Sequence, residues 1–232
     1  MTSAARHEGI AIIGDPHGDY SCLRRLLEAG APSAAVFLGD MDLEVPFDDE
    51  VRPLTKAGTA VRYIHGNHDT DREEWHDNLF CTPLGVSGNL TGRVEEIAGL
   101  RVAGLGGVFR EKIWHPKNGE GIPRFRTRQE FIDANRRSLW REGLPRGQRS
   151  SIFPEDVEAL ADETADVLVT HEAPSCHRYG FAEIDLVAEV LGVRLVVHGH
   201  HHESYEAKLP SGIRVVGLAK GEILRLSPET LG

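Results

Sequence analysis

Three cysteines are all that 232 residues carry, and Cys22, Cys81 and Cys176 lie far apart. That spacing excludes a disulfide framework and fits a reducing compartment, so a cytoplasmic protein is expected. No run approaches the roughly 18 consecutive apolar residues of a membrane span, which excludes a spanning helix. The stretch from Met1 to Gly9 has no long apolar run and does not read as a secretion signal. Positive charge is short: 26 Lys/Arg against 36 Asp/Glu leave a net of −10. A surface built for generic nucleic-acid binding is therefore not expected. A metal-binding chain shows the same deficit, because its ligand carboxylates are counted and the ion is not. Internal repeats and low-complexity linkers are also missing, so residues 1–232 read as a single domain.

The charge is unevenly spread. Between Arg110 and Arg149 stand eleven Lys/Arg and five Asp/Glu, a net of +6, which leaves −16 for the remainder. Residues 110–153 therefore read as a small inserted basic cap rather than a core element. Around it the chain alternates buried strands, polar loops and helices. Ile10 to Ile13, Ala34 to Leu38 and Thr59 to Ile64 are short apolar runs, each ending at glycine-bearing polar sequence. Helical spacing follows over Cys22 to Leu27, and a weaker helix is expected over Phe47 to Ala57. Strand, loop and helix repeated in this way predict right-handed βαβ units with parallel pairing, where ligands gather beyond the carboxyl ends of the strands. From Leu84 the texture predicts short antiparallel strands at Val86 to Leu90, Gly92 to Ile97 and Leu100 to Leu105. Helices are expected over Arg128 to Trp140, Pro154 to Ala161 and Phe181 to Leu191. Strands are expected at Asp166 to Thr170 and Arg194 to Val197, and closing strands at Glu203 to Leu209, Ile213 to Leu218 and Glu222 to Leu226.

What the chain has in abundance is histidine in one place. Four of twelve histidines fall within Val197 to His202. Upstream stand Asp15-Pro16-His17, Gly39-Asp40, Gly66-Asn67-His68-Asp69 and Thr170-His171-Glu172. Each cluster follows an expected strand. Carboxylate, amide oxygen and imidazole together suit Mn²⁺, Zn²⁺, Fe²⁺ or Ni²⁺. No cysteine lies in any cluster, which disfavours structural zinc. A carboxylate can bridge two ions, and two ions about 3.5–4 Å apart clamp an in-line phosphoryl displacement.

The ordered set Asp15-x-His17, Gly39-Asp40, Gly66-Asn67-His68-Asp69, His171 and Gly199-His200-x-His202 resembles the calcineurin-like metallophosphoesterase superfamily. The pieces span residues 10–202, and any one alone would be weak. The resemblance implies a four-layer α/β/β/α sandwich with two mixed sheets. It implies that Asp15, His17 and His202 bind one metal, that Asn67, His171 and His200 bind a second, and that Asp40 bridges them. It implies hydrolysis by metal-bound hydroxide, with His68 protonating the leaving oxygen and Asp69 orienting it. Two divalent ions are the expected cofactors, with manganese favoured and iron, zinc and nickel also compatible.

Gly39-Asp40 is followed by Met41-Asp42-Leu43 rather than Asp-Arg-Gly, and Gly-Asn-His by Asp69 rather than Glu. Both departures point away from protein phosphatases toward the phosphodiesterase-like branch. The expected substrate is a small-molecule phosphate ester, with phosphodiesters favoured over monoesters; a phosphomonoesterase or nuclease on the same site is the alternative. A non-catalytic scaffold is disfavoured, because all seven ligand positions and the His68-Asp69 pair are kept. Arg110, His115, Arg124, Arg126 and Arg128 of the basic segment are candidates to bind substrate phosphate. Among the remaining residues, Asp19 reads as a helix cap, Asp42 as a possible support, and His65 as structural. His198 reads as buried support for the ligand pair. His201 is expected to point away from His200 and His202, as alternation on an extended backbone demands.

Overall fold

The computed structural model describes residues 7–118 and 121–231. The expectation about a secretion signal in Met1 to Gly9 falls largely outside that range. The first half of the chain runs β1 (His7–Ile13), α1 (Ser21–Glu28), β2 (Pro32–Phe37), α2 (Phe47–Glu50), α3 (Arg52–Lys56), β3 (Ala60–Tyr63), α4 (Glu73–Phe80) and α5 (Pro83–Gly88). β1, β2 and β3 are parallel, with Ile13 opposite Phe37 and Phe37 opposite Tyr63. Their carboxyl ends therefore finish level, and the three polar loops that follow leave one edge together.

The second half supplies β4 (Arg93–Ile97), β5 (Leu100–Leu105), α6 (Arg128–Ala134), α7 (Pro154–Glu158), β6 (Val167–Thr170), α8 (Ala182–Leu191), β7 (Leu195–His198), β8 (Tyr205–Lys208), β9 (Arg214–Gly217), β10 (Ile223–Leu226) and α9 (Pro228–Leu231). Six strands form a second mixed sheet in the order β4-β5-β6-β7-β9-β8, and β10 returns to pair antiparallel with β1 in the order β10-β1-β2-β3. Thr170 pairs with His198, so the His171 loop and the histidine-rich loop also leave one edge level with each other.

Strand alternation sorts the core into layers. Ile10 and Ile12 of β1 and Val36 of β2 pack against Val102, Val169 and Val197 of the second sheet. Their neighbours Ala11, Ile13 and Phe37 face the other way, onto Cys22, Leu23 and Leu26 of α1 and Phe47 of α2. On the far side, Ala103, Leu168 and Val196 meet Ile184, Val187 and Leu191 of α8. The result is helix, sheet, sheet and helix, with strands buried on both faces reading as continuous apolar runs. Full burial of each such Val, Ile or Phe stabilises the fold by roughly 1.5–3 kcal/mol.

Several expected elements take another form. Val86 lies in helix α5, not in a strand. Pro83 occupies a first-turn position and the Thr82 hydroxyl accepts from Gly85 N at 3.0 Å, so the local chemistry starts a helix. The helix expected over Phe47 to Ala57 is two short ones joined at Val51, with Pro53 at the start of the second. Helices α6 and α7 stop at Ala134 and Glu158, short of Trp140 and Ala161. Helix α4 lay outside the sequence reading; its signal is the Glu73-Glu74 pair in the first turn. Among the described residues, no helix is long and apolar enough to cross a membrane.

Between β5 and α7 the chain makes an excursion with its own small core of Ile113, Phe131, Leu144 and Phe153. Its root is closed where Val108 N donates to Ser150 O at 2.9 Å and Ile152 N donates to Val108 O at 3.0 Å.

Candidate metal centre

The polar loops at the two level edges meet. Asp15, His17, Asp40 and His202 bring one donor atom each within 4.8 Å of one another, and so do Asp40, His171 and His200. His17 Nε2 and His202 Nε2 approach to 2.9 Å, and His202 Nε2 lies 3.4 Å from Asp15 Oδ2. On the other side His171 Nε2 is 3.2 Å from the Asn67 amide oxygen. Asp40 belongs to both groups: its Oδ2 is 3.7 Å from His17 Nε2 and 3.4 Å from His171 Nε2. All seven residues expected to hold metal thus converge on one place.

The backbone is bent to achieve this. His17, Asp40, Asp42, His200 and His202 all have positive φ, between 47° and 68°, a region costly for side-chain-bearing residues. Such strain persists only where the surroundings impose it. Glycines make the close approaches. A Cβ on Gly66 would overlap Asp40 Oδ1 and His171 Cε1, and one on Gly199 would overlap Asp15 Oδ1.

Four of the donors are aimed by a partner. His171 Nδ1 faces the Leu38 carbonyl at 2.8 Å, which leaves Nε2 to the centre. Asp42 Oδ2 stands 2.9 Å from His17 Nδ1 and does the same for that ring. Asp15 Oδ2 accepts from His200 N, and Asp40 Oδ1 accepts from His68 N at 2.8 Å. His198 is buried between the Gly199 carbonyl and the Tyr205 hydroxyl, at 2.9 and 2.7 Å. Asp19 accepts from Ser21 N at the start of α1.

The electrostatics fit a cation. Asp15 and Asp40 are buried, and Asp15 Oδ1 has no hydrogen-bond partner. A buried oxygen without a partner is costly unless a cation completes it. Burial opposes charge on Asp40 and His171 alike. Their pairing overrides it, holding Asp40 far below the usual carboxylate range and pushing His171 up to about 10. Burial pushes His200 down to about 3, which leaves it as the neutral imidazole a cation requires. The donor set of oxygen and nitrogen without thiolate suits Mn²⁺ and its neighbours.

His68 lies just outside the donors, its ring centroid 5.2 Å from that of His17 and its side chain 44% exposed. The Asp69 carboxylate does not face the His68 ring. It accepts from Asp40 N, Met41 N and Gly66 N at 3.0, 2.8 and 2.7 Å, binding two of the ligand loops together. His201 departs from expectation as well. The left-handed turns at His200 and His202 break the alternation, and His201 stacks on His177 at 4.1 Å with donor atoms near Glu172 and His200.

The five substrate candidates separate. Arg110 and His115 each keep a buried nitrogen, Nε and Nδ1, with no partner. Burial lowers the Arg110 pKa, while the Asp71, Glu172 and Asp40 carboxylates raise it, which places the guanidinium among the charges of the centre. Arg126 pairs with Glu158, and Arg128 with Glu155 and Asp156 at 2.7 and 2.8 Å, so both turn to α7. Arg124 lines a separate cavity with Lys112 and Phe125.

Comparison with known proteins agrees with this geometry. Residues 9–204 match the family described as calcineurin-like phosphoesterase. An uncharacterized protein of Haemophilus influenzae is 41% identical over 211 residues, covering 90% of each chain. The fold is similar to the crystal structure of a 5'-nucleotidase from Candida albicans, with a TM-score of 0.51 at 14% identity, over 92% of this chain and 46% of that one.

Proposed function

We propose, from the premise that this chain belongs to the calcineurin-like phosphoesterase family, that its Asp–His–Asn cluster holds two divalent ions and acts on small phosphate esters. The protein is a metal-dependent phosphoric ester hydrolase. Asp15, His17 and His202 would hold one ion, Asn67, His171 and His200 the other, and Asp40 would touch both. The observation that carries this reading is Asp40 Oδ2, within 3.7 Å of one imidazole and 3.4 Å of the other. Manganese is the proposed metal. Bound divalent ions neutralise phosphate oxygens and acidify a water near neutral pH.

The chain's own residues supply the rest. Arg110, whose guanidinium lies among the carboxylates of the centre, binds a phosphate oxygen, and His115 is a second candidate. His68 donates a proton to the leaving oxygen, a role that suits a half-exposed imidazole beside the donors. Asp69 supports it by fixing the backbone between the Asp40 and Asn67 loops. Residues 110–153 form a cap over this edge, and Arg110 is its contribution to the substrate. The preference for diesters rests on Met41-Asp42-Leu43 after Gly39-Asp40, and on Asp69.

The test is turnover of bis(p-nitrophenyl) phosphate against p-nitrophenyl phosphate by Mn²⁺-loaded protein, with metal content measured alongside. Two ions per chain and faster diester hydrolysis are expected. A faster monoester reaction removes the diester preference. No turnover with any added divalent ion would turn the reading toward a binding scaffold.

A further inference from the structure

The carboxylate that faces the His68 ring belongs to Asp71. His68 Nδ1 and Asp71 Oδ2 are 2.8 Å apart across one turn, with side chains 44% and 51% exposed. Half-exposed side chains are not held by packing, so their aim depends on the backbone beneath them. That backbone is a single 3-10 turn, His68–Thr70, too short to hold itself.

The basic segment grips this turn. Arg146 donates through Nε to Thr70 O at 3.1 Å and through Nη2 to Asp71 O at 2.8 Å. The buried Thr70 and Ser150 hydroxyls meet at 2.9 Å, and Arg110 Nη2 donates to Ser150 Oγ at 3.3 Å. Farther along, Arg141 pairs with Glu73 and Asp77 on α4, the helix that follows the turn. Grips from Arg146, Ser150 and Arg141 therefore fall on about ten consecutive residues that begin at His68.

A carboxylate that accepts from Nδ1–H sets the direction of the ring, and the proton given to the leaving oxygen is then the Nε2–H of the imidazolium, which faces substrate. We propose that Asp71 is the positioning residue for His68, and that the basic segment holds their shared turn in place through Arg146. On this view the segment tunes proton donation as well as contacting substrate. The inference rests on the reading of His68 as proton donor.

The test uses full-length Mn²⁺-loaded protein and two diesters, bis(p-nitrophenyl) phosphate and diphenyl phosphate, with the corresponding monoesters as a second pair. p-Nitrophenolate leaves readily without a proton, whereas phenolate gains from one. His68→Ala should slow the phenyl ester by about 100-fold more than the nitrophenyl ester. Asp71→Asn should lower kcat for the phenyl ester about tenfold, with the nitrophenyl ester within about twofold, KM unchanged and two ions still bound. Arg146→Ala should move the phenyl ester in the same direction by about threefold. If Asp71→Asn slows both esters alike or moves KM, Asp71 is not a positioning residue. If His68→Ala discriminates between the esters and neither other variant does, this inference alone falls. If His68→Ala does not discriminate, the proton-donor reading falls and this inference with it.

Discussion

Asp42 stands behind His17, with its carboxylate 2.9 Å from the ring nitrogen that faces away from the centre. That contact fixes the tautomer of His17 and turns Nε2 toward His202 and Asp40. Asp42→Asn should weaken binding of one ion about 10–100-fold and leave the other nearly unchanged. Calorimetric titration of metal-free protein with Mn²⁺ would show two separated affinities in the variant. Two unaltered affinities would remove Asp42 from the design of the site.

Asp40 and His68 should fail in different ways. Asp40→Ala deletes an oxygen within 4 Å of imidazoles from both groups, so metal content should fall and turnover with it. His68→Ala touches no donor and should keep two ions while losing about 10²–10⁴ in kcat. Metal analysis on purified variants separates the outcomes, and full activity in Asp40→Ala would sink the dinuclear assignment.

Much of this was legible in the chain itself. Short β-branched runs ending at Gly14, Gly39 and Gly66 announce parallel strands, and the ligand types sit where such strands release their loops. What escaped notice depends on contacts between distant residues. Arg126 and Arg128 look like substrate arginines until the acidic face of α7 folds against them. His201 looks like an outward residue until left-handed turns at His200 and His202 remove the alternation. Asp71 looks like one more acidic residue in a polar stretch, because only the tight turn at His68–Thr70 brings its carboxylate under the ring. Val86 reads as strand because apolar β-branched residues fit either element, and the Thr82–Pro83 start decides for helix.

Glycine at position 199 should prove intolerant. A Cβ there would overlap Asp15 Oδ1 and push the first-loop carboxylate off the centre. Gly199→Ala should lose metal and destabilise the fold by about 1–3 kcal/mol, by analogy with overpacked cores. Gly147 has open space around its Cα and an ordinary backbone, so Gly147→Ala serves as the neutral comparison. Urea denaturation of both, with metal content, is the measurement; a normal Gly199→Ala protein would refute the steric account.

Acid should weaken the tie between α4 and the basic segment. The Arg141 guanidinium holds Asp77 down to about 2. A carboxylate depressed in the folded state contributes stability above its unfolded pKa of about 3.9, and loses it as pH falls toward the folded value. Both side chains are more than a third exposed, so the effect is small. The gap in urea midpoint between the native sequence and Asp77→Asn should be constant above pH 5 and narrow between pH 5 and pH 2. A gap independent of pH would show that the pair contributes nothing as an ion pair.

The return of β10 to the edge of β1 has a consequence for the order of events at the ribosome. Ile223 to Leu226 pair with Ile13 to Ile10, so the sheet that carries Asp15, His17, Asp40 and Asn67 is completed by a strand from far along the chain. His171, His200 and His202 arrive late as well, on the opposite sheet. Until His202 has been made, the chain carries only part of the donor set. A centre that needs donors from both sheets can form only after the two sheets have packed together.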